Sequence, residues 1–203
     1  TLTAQMAQLM AVHRPRLFIV EAGNSFGLFS DYAERYGFSV NRVSLEPSSN
    51  IALPLFSEAH RLLEMDIDLE VQDDDDNEDE QRDLLAEMEL TARLMITGGE
   101  AKEDEKMSRA DRSAIRQAIL LAAEKTSQET PPRQVLTGDV KAALEELSRR
   151  PDIRPERASR LADMAEAMDI FCTGVNGRFF NREGEIWPEA DITLVDLAMF
   201  ARD

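Results

Sequence analysis

Glu21 and Ser25 are the first residues in this chain whose type and position could support chemistry. Glu21 ends the apolar run 16–21, and Ser25 lies in the Gly-flanked turn that follows. The carboxyl ends of parallel strands are where α/β proteins place ligand-facing side chains. Glu21 is therefore a candidate ligand-facing residue, and a purely structural carboxylate at a strand end is an equally good interpretation. Ser25 has no neighbouring base that would predict a nucleophile.

Motifs that hold phosphate groups are missing from the sequence. A phosphate-binding loop needs G-x-x-x-x-G-K-[ST], because its backbone N–H groups and lysine neutralise the phosphates. The sequence contains no Gly-Lys pair, and Gly23 and Gly27 have no third glycine at the spacing of a dinucleotide fingerprint. The chain therefore lacks a complete nucleotide-hydrolysis site.

Metal and thiolate sites are equally poorly supported. His13 and His60 have no His or Cys at ligand spacing, which favours structural roles for both. The acidic run 73–80 contains no glycine for the turn of a calcium loop, so it is interpreted as a solvated linker. Cys172 is the single cysteine, lies in no cationic setting, and favours a reducing intracellular compartment.

The charge balance restricts the partners. The chain has 23 Lys and Arg against 40 Asp and Glu, a net charge of −17, which repels phosphate backbones and anionic lipids. We therefore expect no direct DNA contact, and no apolar stretch is long enough to span a membrane. One basic cluster stands apart and could face nucleic acid, an acidic partner or solvent: Arg149, Arg150, Arg154, Arg157 and Arg160.

The first part of the chain reads as α-β-α-β. Short apolar runs at 16–21 and 38–45 predict buried strands, and helical spacing at 1–13 and 28–36 predicts the helices before and between them. This order is half of a wound parallel sheet. The opening residues carry no helix start signal, which predicts a helix that begins before Thr1.

A helical region follows the acidic run. Helical stripes predict four helices between residues 81 and 170, with a capping box at Ser108–Asp111, a cap at Thr137 and Pro155 in a first turn. Methionines in these stripes are interpreted as core residues. We place an α/β segment at 1–65, a linker at 66–80 and a helical insertion at 81–170.

The last segment, 171–203, offers two interpretations. Turn residues around an aromatic pair at 174–184 predict a short hairpin. The run Asp191–Asp196 resembles a strand that ends in a magnesium-binding Asp, but Thr193 is a good helix cap and Leu194, Leu197 and Phe200 share a helical face. The sequence therefore predicts a hairpin and a return helix. The predicted fold is α/β, a partial parallel sheet (α-β-α-β) followed by an inserted all-α bundle with a short hairpin.

Taken in order, these segments resemble a known family. The opening helix, the run Arg16–Ser25, the stretch 37–56, the helical insertion, Gly174–Phe180 and Asp191–Phe200 are similar to successive parts of the conjugative-transfer ATPases of type IV secretion systems. In that family they lie between the phosphate-binding loop and the magnesium-binding strand. Glu21 departs from the pattern, since the family usually has Asp there, and Asn50 and Pro54 are separated where the family joins Asn and Pro.

The resemblance implies that the partial sheet is RecA-like and that the chain is part of a larger bacterial protein. That parent would be a P-loop ATPase that binds ATP and magnesium, assembles as a homo-oligomeric ring and works with secretion-channel proteins on the cytoplasmic side, peripheral to the inner membrane. This piece would supply scaffold and bind no cofactor alone. The resemblance further implies that Glu21 and Ser25 lie close to the nucleotide and that Arg178 offers a charge across a subunit boundary.

Two other functions stay open. The chain could be a non-catalytic module of a transfer or secretion complex, whose helical bundle binds protein partners. It could also contact DNA through its arginine cluster, although the net charge of −17 argues against this.

Overall fold

The computed structural model describes residues 2–45, 51–64, 75–184 and 188–198, with the backbone alone for residues 64 and 75–82. It divides into two compact units. The sheet unit combines Thr1–Ile51 with Glu185–Asp203, and the helical unit is Ala52–Gly184. The predicted class, a small parallel sheet with helices joined to an all-helical region, is confirmed.

The sheet unit has the predicted α-β-α-β order at its start. Its elements are α1 (Leu2–His13), β1 (Leu17–Glu21), α2 (Gly27–Arg35), β2 (Val40–Ser44) and β3 (Ile192–Asp196). Gly37 ends the α2 region with φ of 83°, a conformation that glycine adopts without strain. Each apolar run of the early sequence therefore forms the strand that its composition predicts.

Strand β3 corrects the predicted return helix. The sheet order is β1-β3-β2, all parallel, with Leu17, Ile192 and Val40 in register at one end. β3 is thus the central strand, and its residues Ile192–Val195 are all buried. Pairing with strands on both sides satisfies its backbone N–H and C=O groups, and this gain outweighs the local signals for a helix.

A polar contact joins β2 and β3 where both strands begin. The carboxylate of Asp191 accepts hydrogen bonds from the backbone N–H of Ser39 at 2.8 Å and from its hydroxyl at 2.9 Å. The Asp191 N–H donates back to the Ser39 hydroxyl at 2.9 Å. Because these bonds favour the ionised form, they hold the pKa of Asp191 below its ordinary value. The contact fixes the register of strands that lie far apart in sequence.

The core of the sheet unit is small. Met10 of α1, Phe29 and Ala33 of α2, and Ile192 of β3 form its buried cluster, with half-buried Leu17, Ile19, Phe38 and Val40 around them. Helices α1 and α2 therefore contribute to one core on a single face of the sheet. Several large apolar residues of the same unit stay exposed, including Val20 at 54% and Leu28 at 85%.

The helical unit begins with a 3-10 helix, Ser57–His60. Seven helices follow in the described residues: α3 (Arg61–Glu64), α4 (Asp75–Thr97), α5 (Ala101–Glu105), α6 (Arg109–Ser127), α7 (Thr137–Ser148), α8 (Pro155–Cys172) and α9 (Gly174–Phe180). The four helices predicted between 81 and 170 correspond to α4, α6, α7 and α8. Residues 66–74 of the predicted linker lie outside the described residues, and α4 already begins at Asp75.

Helix caps follow the sequence signals in two of three cases. The Ser108 hydroxyl accepts from the Asp111 N–H at 3.1 Å, and the Asp111 carboxylate accepts from the Ser108 N–H at 3.0 Å, which is the predicted capping box. Pro155 occupies the first turn of α8, as predicted. Thr137 is the first residue of α7 and Leu136 is its N-cap. The Thr137 hydroxyl donates to the Phe180 carbonyl at 2.7 Å and so ties α7 to α9.

Helix α9 corrects the predicted hairpin. Gly174, with φ of 60°, interrupts the helical conformation between α8 and α9. A side chain at Gly177 would lie 2.5 Å from the Cys172 carbonyl oxygen, so only glycine allows this close approach. Phe179 is buried, and Phe180 packs edge-on against Phe171 with ring centroids 5.9 Å apart. Gly174 and Gly177 therefore allow a tight connection between α8 and α9.

The helical unit has the larger core. Alanines and methionines dominate the packing surface between α4, α6, α7 and α8, which confirms the methionines Met88, Met95, Met164 and Met168 as core residues. Small alanine side chains let helices approach closely, and flexible methionines fill the remaining gaps. Among the helices of the described residues, none is long and apolar enough to cross a membrane.

Candidate functional site at the carboxyl edge of the sheet

The three parallel strands end side by side, which brings polar residues together. The register pairs Glu21 of β1 with Asp196 of β3, and Asp196 with Ser44 of β2. Neighbouring strands lie about 4.8 Å apart, so the two carboxylates belong to one local site. This edge also carries the loop from residue 22 to 26 that leads into α2. It is the position at which α/β sheets hold ligands.

Glu21 organises the loop that follows it. Its carboxylate accepts the Ser25 N–H at 2.5 Å, and the Phe26 N–H lies 3.1 and 3.2 Å from its two oxygens. Phe26 is the N-cap residue of α2 and offers no capping side chain of its own. The Glu21 carboxylate therefore takes the place of a helix cap, satisfying N–H groups that would otherwise lack partners. The structure brings the predicted residues Glu21 and Ser25 together, through the backbone of Ser25.

Asp196, at the end of the central strand, also accepts backbone N–H groups. Its Oδ1 accepts the Gly23 N–H at 3.3 Å and the Ala198 N–H at 2.9 Å. The Leu197 N–H donates to the Glu21 carbonyl at 2.7 Å, which ties the ends of β1 and β3 together. The sequence contained the signal for this residue, an apolar run that ends in Asp, but the helix interpretation removed Asp196 from the candidates.

The loop between β1 and α2 has a backbone that needs special residues. Gly23 has φ of 103° and Asn24 has φ of 59°. Asn is one of the few non-glycine residues that adopt the left-handed region readily. This conformation turns the Gly23 and Ser25 N–H groups towards the two carboxylates. The loop is therefore held in shape by negative charge from the chain itself.

The charge of this edge decides which ligands it fits. Its described side chains bring the carboxylates of Glu21 and Asp196 and the hydroxyls of Ser25 and Ser44, with no cationic group among them. The Gly23, Ser25 and Phe26 N–H groups, which could hold a phosphate, already bind carboxylates. The residues present therefore do not fit the phosphates of ATP. Within the described residues, no group of three or more His, Cys, Asp or Glu side chains could hold a metal ion.

Arg178, the third predicted site residue, belongs to the helical unit. It lies on α9, and its side chain is exposed. Glu21 and Ser25 belong to the sheet unit, whereas Arg178 belongs to the helical unit. Its role at a subunit boundary stays a prediction.

The remaining reactive side chains have structural surroundings. Burial raises the pKa of the Cys172 thiol to about 11, which disfavours the thiolate at neutral pH. The His60 Nε2 lies 2.7 Å from the Thr126 hydroxyl, and that hydroxyl donates to the Ala122 carbonyl at 2.9 Å. Cys172 and His60 therefore both belong to the packing of the helical unit.

Comparison with known proteins finds one likeness of fold. The chain resembles the solved structure of VirB4 of Thermoanaerobacter pseudethanolicus with a TM-score of 0.54 and 10% sequence identity, over 100% of this chain and 67% of that one. No protein-family profile matches the sequence, and no curated protein matches it. At this identity the likeness shows a shared fold.

Proposed function

We propose that this chain is part of an ATP-hydrolysing motor for conjugative DNA transfer by a type IV secretion system. The observation that carries the proposal is the fold: the whole chain resembles VirB4, a type IV secretion ATPase. The order of the segments in the sequence supports the same family independently. Open α/β sheets bind ligands at the carboxyl ends of their strands, where Glu21 and Asp196 lie in this chain.

Within that motor, this chain supplies scaffold. The carboxyl edge of its sheet does not fit ATP phosphates, so the groups that hold ATP and magnesium come from residues outside this chain. Glu21 and Asp196 shape the loop 22–26 and the exit of β3, which would border the nucleotide. The parent would act as a homo-oligomeric ring beside secretion-channel proteins at the cytoplasmic face of the inner membrane, and Arg178 would face a neighbouring subunit.

The test is ATP hydrolysis by the full-length protein encoded by the reading frame that contains this sequence. We expect Glu21→Ala to lower kcat/KM by about tenfold or more, because the loop 22–26 loses its carboxylate acceptor. Asp31→Asn is the matched control, since Asp31 lies in the same unit on α2 and pairs with Arg42 at 2.7 Å, away from the strand ends. A full-length protein that neither binds nor hydrolyses ATP would refute the proposal.

A second variant separates charge from shape. Asp196→Asn keeps an oxygen that can accept the Gly23 and Ala198 N–H groups but removes the negative charge. If Asp196 acts only by shaping the edge, ATP hydrolysis stays within about twofold of wild type. A loss as large as that of Glu21→Ala would instead assign the charge itself to the nucleotide site.

A non-catalytic module of a secretion complex is the second candidate. Two observations favour it. Loop N–H groups already donate hydrogen bonds to the carboxylates of Glu21 and Asp196. Large apolar residues such as Leu28 and Tyr36 are exposed. Exposed apolar surface is typical of protein interaction sites. Under this function the full-length protein would show no ATP hydrolysis, and Leu28→Asp would weaken its assembly with secretion-channel proteins.

A further inference from the structure

Part of the arginine cluster of the helical unit lines a cavity that the proposed motor function does not use. The cavity measures about 270 Å³ and lies where α6, the end of α7 and the start of α8 meet. Its wall contains apolar side chains from all three regions and three of the five clustered arginines. These three arginines are Arg150, Arg154 and Arg157.

The five arginines of the cluster have different surroundings. Arg149 pairs with Glu145 at 3.0 Å, and Arg160 pairs with Asp111 at 3.6 Å, so these two are neutralised within the protein. Among the residues that the structure describes, the side chains of Arg150 and Arg154 have no hydrogen-bond or ion-pair partner. The two arginines that are neutralised lie outside the cavity lining, and the two without partners lie within it.

Arg157 is oriented by its surroundings. Its Nη2 donates to the Ala110 carbonyl at 2.9 Å, which leaves the other guanidinium N–H groups available at the cavity wall. Asp152 is the one acid in the lining, so the three arginines leave an excess of two positive charges. The chain as a whole carries a net charge of −17, so this lining is a local region of positive charge.

The wall of the cavity is amphiphilic. Leu147 and Leu161 are buried and Ile153 is half-buried, so the cavity has an apolar floor, whereas the arginines and Gln117 carry the polar groups. Guanidinium groups bind phosphate and carboxylate with paired hydrogen bonds. An anion that also carries a small apolar body would satisfy both parts of this lining.

Size decides between ligand classes. Pockets for drug-sized ligands and cofactors span about 300–1,000 Å³, and this cavity is slightly smaller. This volume suits a small ligand, and a nucleic-acid backbone would meet the repulsion of the rest of the chain. We propose that the cavity binds a small organic anion, a phosphate or dicarboxylate group on an apolar body about the size of one side chain.

The test uses the full-length protein and isothermal titration with three probes. Phenyl phosphate is expected to bind more tightly than inorganic phosphate, because its ring reaches the apolar floor, and phenol, which lacks the anion, is expected not to bind. The double variant Arg150→Gln with Arg154→Gln is expected to weaken phenyl phosphate binding by about tenfold or more. Arg149→Gln, the neighbour that pairs with Glu145, is the matched control and is expected to bind normally.

A variant that blocks the cavity without changing charge completes the design. Gln117 is exposed on α6 and lines the cavity, so Gln117→Trp is expected to fold normally and to abolish binding. Phenyl phosphate binding that survives Gln117→Trp, or that falls equally in Arg149→Gln, would overturn the proposal in favour of unspecific surface charge. Absence of binding at millimolar phenyl phosphate would also overturn it. Tighter binding of a short DNA duplex, lost in the same double variant, would replace the small anion with nucleic acid.

Discussion

The helical unit and the sheet unit solve the problem of burying apolar surface differently. The helical unit closes a continuous core between its own helices, in which Ile115, Leu144 and Met168 are fully buried. The sheet unit buries few residues and exposes many large ones, namely Leu2, Leu9, Val12, Phe18, Val20, Leu28, Tyr32 and Tyr36. Parallel sheets are normally covered on both faces. The helical unit is therefore stabilised by its own packing, while the sheet unit presents surface suited to further contacts.

Leu144→Ala should have the largest effect. Leu144 is 0% exposed in the core of the helical unit, so its truncation leaves a cavity and lowers the free energy of unfolding by about 2–5 kcal/mol. Urea denaturation of the full-length protein measures this loss. Ile19→Ala, at a half-buried position in β1, is the comparison in the sheet unit and should cost clearly less. Equal losses would contradict the contrast between the two units.

Ser108→Ala tests whether local signals also stabilise the helical unit. The variant removes the side-chain acceptor of the capping box with Asp111, which should cost about 1 kcal/mol of unfolding free energy. Ser113→Ala, at an exposed position of the same helix, is the control and should change stability by less than about 0.5 kcal/mol. Both values come from urea denaturation. If both variants behave alike, the capping box does not contribute to stability.

Asp191→Asn tests the contact that sets the register of the sheet unit. Bonds from Ser39 hold the pKa of Asp191 below its ordinary value, so the folded state binds its proton more weakly than the unfolded state. The stabilisation is therefore present above the unfolded pKa, about 3.9, and is lost as the pH falls through the lower folded value. The variant should be less stable than wild type at pH 7, and the difference should shrink below about pH 4. A difference that does not depend on pH between 7 and 3 would mean that the charge of Asp191 has no role.

Leu28→Gln should have the smallest effect. Leu28 is 85% exposed on α2, so replacing it removes little buried apolar surface and should change the unfolding free energy by less than about 0.5 kcal/mol. The melting temperature of the isolated chain and of the full-length protein checks this. A large loss only in the full-length protein would show that other parts of it cover this surface. A large loss in the isolated chain would mean that the sheet unit buries Leu28 itself.

Prediction from sequence worked best where the signals are local. The strands β1 and β2, the capping box at Ser108 and the start of α8 at Pro155 all depend on residues within one or two turns of each other. The positions of Glu21 at a strand end and Ser25 in the next turn are predictable, because a strand followed by a Gly-flanked turn is also a local pattern. Asp196 was missed because the same apolar run suits a strand or a helix, and its partners lie more than 150 residues away in the sequence.

The mixed α/β class, the helices between residues 81 and 170 and the acidic character of the chain follow from sequence alone, because composition and period are properties of short stretches. Only the tertiary structure decided that Ile192–Asp196 is the central strand and that Gly174–Phe180 is a helix. In the first case, β3 forms hydrogen bonds with β1 on one side and with β2 on the other. This pairing on both sides stabilises the strand over a helix of similar local propensity. In the second, the glycines that indicate a turn instead permit a close approach of the α9 backbone to the Cys172 carbonyl, and that approach exists only once α8 and α9 have packed.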